Sequence, residues 1–440
     1  MSKIKVMVQR RKLKGIIFKF ASNLFMIPFE RFQLENGLTV IVHQDKSSPM
    51  AVLNLLYKVG ARNESPEKTG FAHLFEHLMF GGSKHVPSFD EPLQRVGGDN
   101  NAFTSNDITN YYITVPSANL ETAFWLESDR MLSLSFDPNV LEVQRAVVIE
   151  EFKQRYLNQP YGDVWLKLRP LAYDQHPYQW PTIGKEISHI EEATLEDVKA
   201  FFKRFYVPNN AVLVVAGDVN LDEVRRLSEK WFGPIPQGQQ DLVEIKPEPK
   251  QQQYKILETS ADVPLDAFYL SFHMSGRNDR NYHSTDLLSD VLGRGKSSLL
   301  YQELVEKQPI FNSINAFVTG NVDPGLLTIQ GKLNEGVSME KAEEAVWALL
   351  EELKVKGISR EELQKVKNKA EASQVFSDLE LLNRAMNLAF AEMLGDAELA
   401  NQEIGKIRAV TRQQVAEVAN ELLTKENASL LKYKAKRRSA

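Results

Sequence analysis

Two spacings of apolar residues alternate along this chain. Leu38 to His43 and Ala211 to Val215 are short runs of aliphatic and β-branched residues, the mark of buried strands. Glu340 to Lys356 and Arg360 to Lys369 instead place apolar residues three and four apart among charges, which predicts helices covered on one side. Asn101 to Thr104 followed by Tyr111 to Val115 reads as a hairpin whose first strand is placed to be an edge. Residues 142–155 are charged and aliphatic at helical spacing, with Val147, Val148 and Phe152 facing a core and Glu150 or Glu151 pointing elsewhere.

The pattern occurs twice. Pro49 to Asn63 match Pro264 to Asn278 at a constant offset, setting Pro49 with Pro264, Tyr57 with Phe272, Arg62 with Arg277 and Asn63 with Asn278. The far ends agree as well, since Thr194, Val198, Asn210, Ala211 and Leu213 align with Thr411, Val415, Asn427, Ala428 and Leu430. Such self-similarity indicates duplication of one domain. Strands grouped at both ends of each half, with helices between, predict an α+β fold of two similar domains, each a mostly antiparallel sheet with helices layered on one face. The expected boundaries are 28–235 and 254–435. Between them, 236–253 is too rich in Pro and Gln to build a core and reads as a linker about which the halves hinge.

Composition excludes more than it selects. The 440 residues are 43% hydrophobic and 25% charged, an ordinary globular balance, and the formal charge of -5 argues against a nucleic-acid surface. Lys432, Lys434, Lys436, Arg437 and Arg438 read as a solvated tail. Without cysteine there is no thiolate nucleophile, thiolate metal site or disulfide frame. Residues 1–27 read as a disordered basic leader, because Lys19 interrupts its apolar run and no small-residue cleavage pattern follows. A cytoplasmic chain is expected, with the periplasm as the other compartment this composition allows. No later segment reaches the length of apolar sequence that a membrane span needs.

One motif carries chemistry. Residues 73–77 read His-Leu-Phe-Glu-His, so on a helix His73 and His77 project one turn apart from one face while Glu76 stands beside them. Two imidazoles so placed close on one ion, and Glu76 is set to take a proton from a water on it, the arrangement of a zinc hydrolase. A catalytic zinc takes three protein ligands, so a third donor is expected on another helix, and Glu150 and Glu151 are the candidates.

The pentad with the following Leu-Met-Phe-Gly-Gly, the stretch Gly97 to Thr104 with Asp107, Thr109 and Tyr111 behind it, and Val147-Val-Ile-Glu-Glu-Phe152 together resemble the pitrilysin or insulinase-like (M16) metallopeptidases. The resemblance runs from about Phe29 to the C-terminus, and the length suits the subfamily of the mitochondrial processing peptidase. It implies two similar domains facing each other as a half-clamshell, a Zn2+ cofactor, Glu151 as third ligand, Glu76 as general base, and extended or unfolded polypeptide as substrate. It places Asn101 and Ala102 on the substrate-binding strand, with Phe103 next along it. The second copy has Leu288, Val291 and Leu292 where the pentad would stand, so the metal site exists once. Where relatives that work alone carry an Arg and a Tyr in the second half, this chain has Val305 and Asn312, neither of which donates as those do. Gln144 replaces a glutamate that assists in relatives. These departures imply the metal-bearing subunit of a heterodimer whose partner supplies the Arg/Tyr pair, with a homodimer as the other arrangement. A non-catalytic scaffold subunit is the rival reading, against which the intact His73, Glu76, His77 and Glu151 argue.

Overall fold

The computed structural model describes residues 26–239 and 244–436. The leader apart from Met26 and Ile27, four linker residues, and the terminal Arg437 and Arg438 lie outside that description. Two sheets organise the chain. The first orders its strands β1-β2-β6-β3-β5-β4, from β1 (Glu30–Gln33), β2 (Thr39–Gln44), β3 (Met50–Tyr57), β4 (Asp99–Thr104), β5 (Thr109–Pro116) and β6 (Ala211–Gly217). The second orders them β7-β11-β8-β10-β9, from β7 (Lys255–Ala261), β8 (Ala267–His273), β9 (Phe311–Val318), β10 (Leu326–Leu333) and β11 (Ala428–Ala435). β2 with β6 and β7 with β11 pair in parallel, and the other pairs are antiparallel.

The duplication is written into the register. Tyr57 pairs with Ala211 in the first sheet and Phe272 with Ala428 in the second, the same residues that align in the sequence. The longer helices, numbered in chain order, are α1 (Phe71–Leu78), α2 (Leu120–Leu132), α3 (Pro138–Phe152), α4 (Val164–Ala172), α5 (Leu195–Phe205), α6 (Leu221–Trp231), α7 (Tyr282–Gly293), α8 (Met339–Lys356), α9 (Arg360–Ser377), α10 (Leu381–Met393), α11 (Leu399–Ala409) and α12 (Arg412–Leu422). Each half is thus a mostly antiparallel sheet with helices packed on it, as the spacing of apolar residues predicts.

The helices do not keep to one sheet face. On β6, Ala211, Leu213 and Val215 face the core beneath α1, α3, α5 and α6, while Val212, Val214 and Ala216 face the other way and are equally buried. That second face is covered by α10, from the other half, through Ala385, Leu388 and Ala389. The second sheet reciprocates: Ala267, Tyr269, Leu431 and Tyr433 lie under Val164 and Leu168 of α4, from the first half. Strands apolar on both sides need cover on both sides, and here each half lends the other one helix. Leu388→Ala, at a fully buried site, is expected to cost about 2–5 kcal/mol. Hydrogen exchange will show it as lost protection in β6, far away in sequence.

Three further expectations change. Val147 is 44% exposed, because Leu141, Val148 and Phe152 define the buried stripe of α3 and Val147 lies a third of a turn off it. Lys432 and Lys434 belong to no tail: both lie in the interior strand β11, where Lys432, 7% exposed, pairs with Glu343 of α8 at 2.9 Å and Lys434 with Glu258 of β7 at 2.9 Å. The described part of the linker is fastened, since Glu248 accepts the backbone N–H groups of Asp174, Gln175 and His176 at 2.7, 3.1 and 2.8 Å.

One ion pair is buried outright in the first core. The Arg130 guanidinium donates to Glu127 at 2.8 and 2.5 Å, with exposures of 1% and 0%, and lies 4.4 Å from the ring centroids of both Phe89 and Tyr111.

Candidate metal centre

α1 starts where the chain turns through Gly70, whose φ of +88° disfavours any side chain and whose position leaves no room for a Cβ beside the Ile183 carbonyl. No side chain at that N-cap satisfies the first amides of the helix. Glu64 does so from outside, accepting from Gly70 N and Ala72 N at 2.8 Å each. Burial pushes the Glu64 carboxyl up to about 8 in spite of those donors. Phe71, Ala72, Leu74, Phe75 and Leu78 then anchor the helix, Phe75 stacking on Phe201 of α5 and on Tyr206.

The opposite face of α1 carries the pentad. The His73 and His77 rings stand edge to face with centroids 4.8 Å apart. Glu151 of α3 reaches them with one oxygen, Oε2, 3.6 Å from His73 Nε2 and 3.5 Å from His77 Nε2. Its other oxygen, Oε1, is 3.0 Å from Arg155, where the chain widens into a π turn over Lys153–Leu157. Glu150 is exposed and takes only Gln154, at 3.3 Å. Of the two candidate glutamates, the structure brings Glu151 to the histidines.

Among the described residues, this is the one cluster of three such side chains with donor atoms within 4.8 Å of one another. Zinc bonds of about 2.0–2.1 Å in a tetrahedron separate donors by roughly 3.4 Å, so two imidazole nitrogens and a carboxylate oxygen so spaced fit that ion. Burial, then His77 and Arg155, push His73 down to about 3, which keeps it in the neutral form a metal requires. Glu76 stays off the donor set. Its Oε2 accepts from the Thr104 hydroxyl at 2.6 Å, and burial raises its pKa.

Thr104 ends β4, and β4 is the outer strand of its sheet. Asn101 is exposed, Ala102 packs partly on the core, and Phe103 remains 39% exposed. In the second half, α7 presents Leu288, Val291 and Leu292, all buried. Val305 packs partly buried against that core and Asn312 is exposed on β9. Gln144 is half-buried on α3. Sequence reasoning passed over Glu64, Thr104 as the partner of Glu76, and Arg155; only Arg155, four residues after Glu151, left a signal in its spacing.

A duplicated α+β scaffold with helix-borne imidazoles, a carboxylate from a second helix and an acid beside them is that of a metal-dependent peptidase. Residues 39–184 match the family model described as insulinase (peptidase family M16), and residues 192–370 that of the peptidase M16 inactive domain. The zinc protease PqqE of Helicobacter pylori is 34% identical over 371 residues, 83% of each chain. A Bacillus subtilis protein, described as the uncharacterized zinc protease YmxG, is 27% identical over 408 residues, 91% of this chain and 97% of that one. The crystal structure of a protease from Helicobacter pylori superposes with a TM-score of 0.87 at 30% identity, covering 93% of this chain and all of that one. The chain belongs to peptidase family M16.

Proposed function

We propose that this protein is a zinc-dependent endopeptidase acting on extended or unfolded polypeptide, with the ion held by His73, His77 and Glu151 and with Glu76 as general base. The observation that carries this is the closure of two helices on one point, Glu151 Oε2 standing 3.6 and 3.5 Å from the two imidazoles. Zinc in that position supplies a Lewis acid for the scissile carbonyl and an acidified water. Glu76 accepts the proton of the attacking water and delivers it to the leaving amine. Thr104 holds one oxygen of Glu76 and so fixes the direction from which the base works. β4, which carries Asn101, Ala102 and Phe103, is the outer strand of its sheet and so offers an edge on which a peptide lies as a further strand, the Ala102 N–H exchanging its present acceptor, Asn101 Oδ1 at 2.8 Å, for the peptide.

Neither Val305 nor Asn312 donates to a carbonyl as an arginine or a tyrosine does, which supports the metal-bearing role in a heterodimer. No helix among the described residues is long and apolar enough to cross a membrane. The test is cleavage of a quenched-fluorescent unstructured peptide by the zinc-loaded chain, alone and with its candidate partner. Full activity alone refutes the heterodimer, and no cleavage in either setting refutes the peptidase. For the donor set, Glu151→Gln is expected to weaken zinc binding by more than the roughly 10–100-fold of a second-shell change, while Glu150→Gln leaves it intact. Equilibrium zinc titration distinguishes them, and the reverse order would reassign the ligand.

A further inference from the structure

The half without metal donors meets the first half beside the β4–β5 turn through a loop. Asn321, Val322 and Asp323 lie between β9 and β10, and they meet the corresponding turn of the first half, Ser105 to Ile108, between β4 and β5. Asn106 Nδ2 donates to Asn321 Oδ1 at 3.1 Å, and Val322 N donates to Asp107 Oδ2 at 3.0 Å. Tyr178 links the two acids, its hydroxyl donating to Asp107 Oδ1 at 2.5 Å and accepting from Asp323 N at 3.1 Å. Arg62 spans them, with Nη1 2.8 Å from Asp323 Oδ2 and Nε 3.4 Å from Asp107 Oδ1. His176 Nε2 stands 3.3 Å from the same Asp323 oxygen.

This cluster is connected to the metal helix on both sides. The backbone N–H groups of Ala61 and Arg62 donate to the carbonyls of Ser105 and Asn106 at 3.2 and 2.8 Å. Gly60 has no space for a Cβ against the backbone of Asn106 and Asp107. Two residues beyond Arg62, Glu64 holds the start of α1. One residue before Ser105, Thr104 holds Glu76. Asp323 therefore stands at the root of the two segments that orient the base, although it touches neither the pentad nor the donor set.

We infer that Asp323 is a positioning residue for Glu76, acting through Arg62 and Asp107 on the β4–β5 turn and the Thr104 hydroxyl. This gives the metal-free half a part in the chemistry, and it rests on the reading of Glu76 as the base. β4 is held along its length by β5, from Asp99 opposite Thr114 to Thr104 opposite Thr109, so loosening the turn moves Thr104 more than the edge that binds peptide. The effect falls on kcat. A shift of about 1 Å in a catalytic group costs on the order of a hundredfold.

The experiment compares the full chain, in its active assembly, with Asp323→Ala, Asp323→Asn, Thr104→Val and the Asp323→Ala/Thr104→Val double variant, each normalised to bound zinc. Expected are a fall in kcat of at least about tenfold for Asp323→Ala with KM within about twofold, a smaller fall for Asp323→Asn, which keeps an acceptor for Arg62, and a double variant no slower than its slower parent. An unchanged kcat per zinc in Asp323→Ala, a loss confined to KM, or additive losses in the double variant would overturn the inference. Hydrogen exchange over Thr104 to Ile108 supplies a readout that needs no turnover. A wild type that cleaves nothing overturns the peptidase reading; unaltered exchange of the turn in Asp323→Ala then overturns the positioning as well, and faster exchange upholds it.

Discussion

Glu76→Gln will bind one zinc ion per chain and lose about 10²–10⁴-fold in peptide turnover, the usual contribution of a positioned acid–base group. Glutamine has the same length and shape, and its amide oxygen accepts from the Thr104 hydroxyl as Glu76 does at 2.6 Å, so α1 and the donor set keep their places. What it lacks is a site for the proton of the attacking water. Turnover and metal content measured on the same preparation decide the matter. Loss of metal would make Glu76 a ligand, and retained turnover would move the base to another residue.

Arg130→Ala will destabilise the protein by about 3–5 kcal/mol, the cost of leaving a buried charge without its partner. Glu127 is fully buried and Arg130 supplies both of its hydrogen bonds. Burial already holds the Glu127 carboxyl above its ordinary pKa, and Arg130 is what opposes that rise. Removing Arg130 raises the folded-state pKa further. Stability contributed by a raised carboxyl is complete below the unfolded pKa and lost as pH climbs through the folded one. The penalty will therefore be large at neutral pH and shrink as the solution is acidified, while Glu127→Leu/Arg130→Met, which removes both charges, will recover most of the loss. Denaturant unfolding at two pH values tests both statements, and a pH-independent penalty would show that lost packing between Phe89 and Tyr111 dominates.

Local spacing made part of this molecule readable from its sequence. His73 and His77 are one helical turn apart, so their meeting needed no tertiary information, and the paired segments around Tyr57 and Phe272 announced the duplication that the strand registers repeat. The choice between Glu150 and Glu151 was already contained in the phase of α3. Glu151 borders the stripe of Val148 and Phe152, and Glu150 points away from it. Val147 was misread because a run of apolar residues does not say which of its members the stripe includes. Lys432 was misread because a charge near a terminus looks like tail until the strand that contains it is known. The contacts of Asp323 with Arg62 and of Thr104 with Glu76 were beyond reach: they join residues distant in the chain by side chains ordinary in their own segments.

The lending of helices between halves also governs how the chain is made. β6 is complete at Gly217, but the helix that covers Val212, Val214 and Ala216 begins only at Leu381. At synthesis rates of about 5–20 residues per second, the intervening stretch of about 160 residues takes roughly 10–30 s to emerge. A first half folded within that interval would lack the cover that α10 gives to Ile41, Val52, Leu56, Val212 and Val214. That face is covered only once Leu381–Met393 has been made, so the first half cannot complete its own burial.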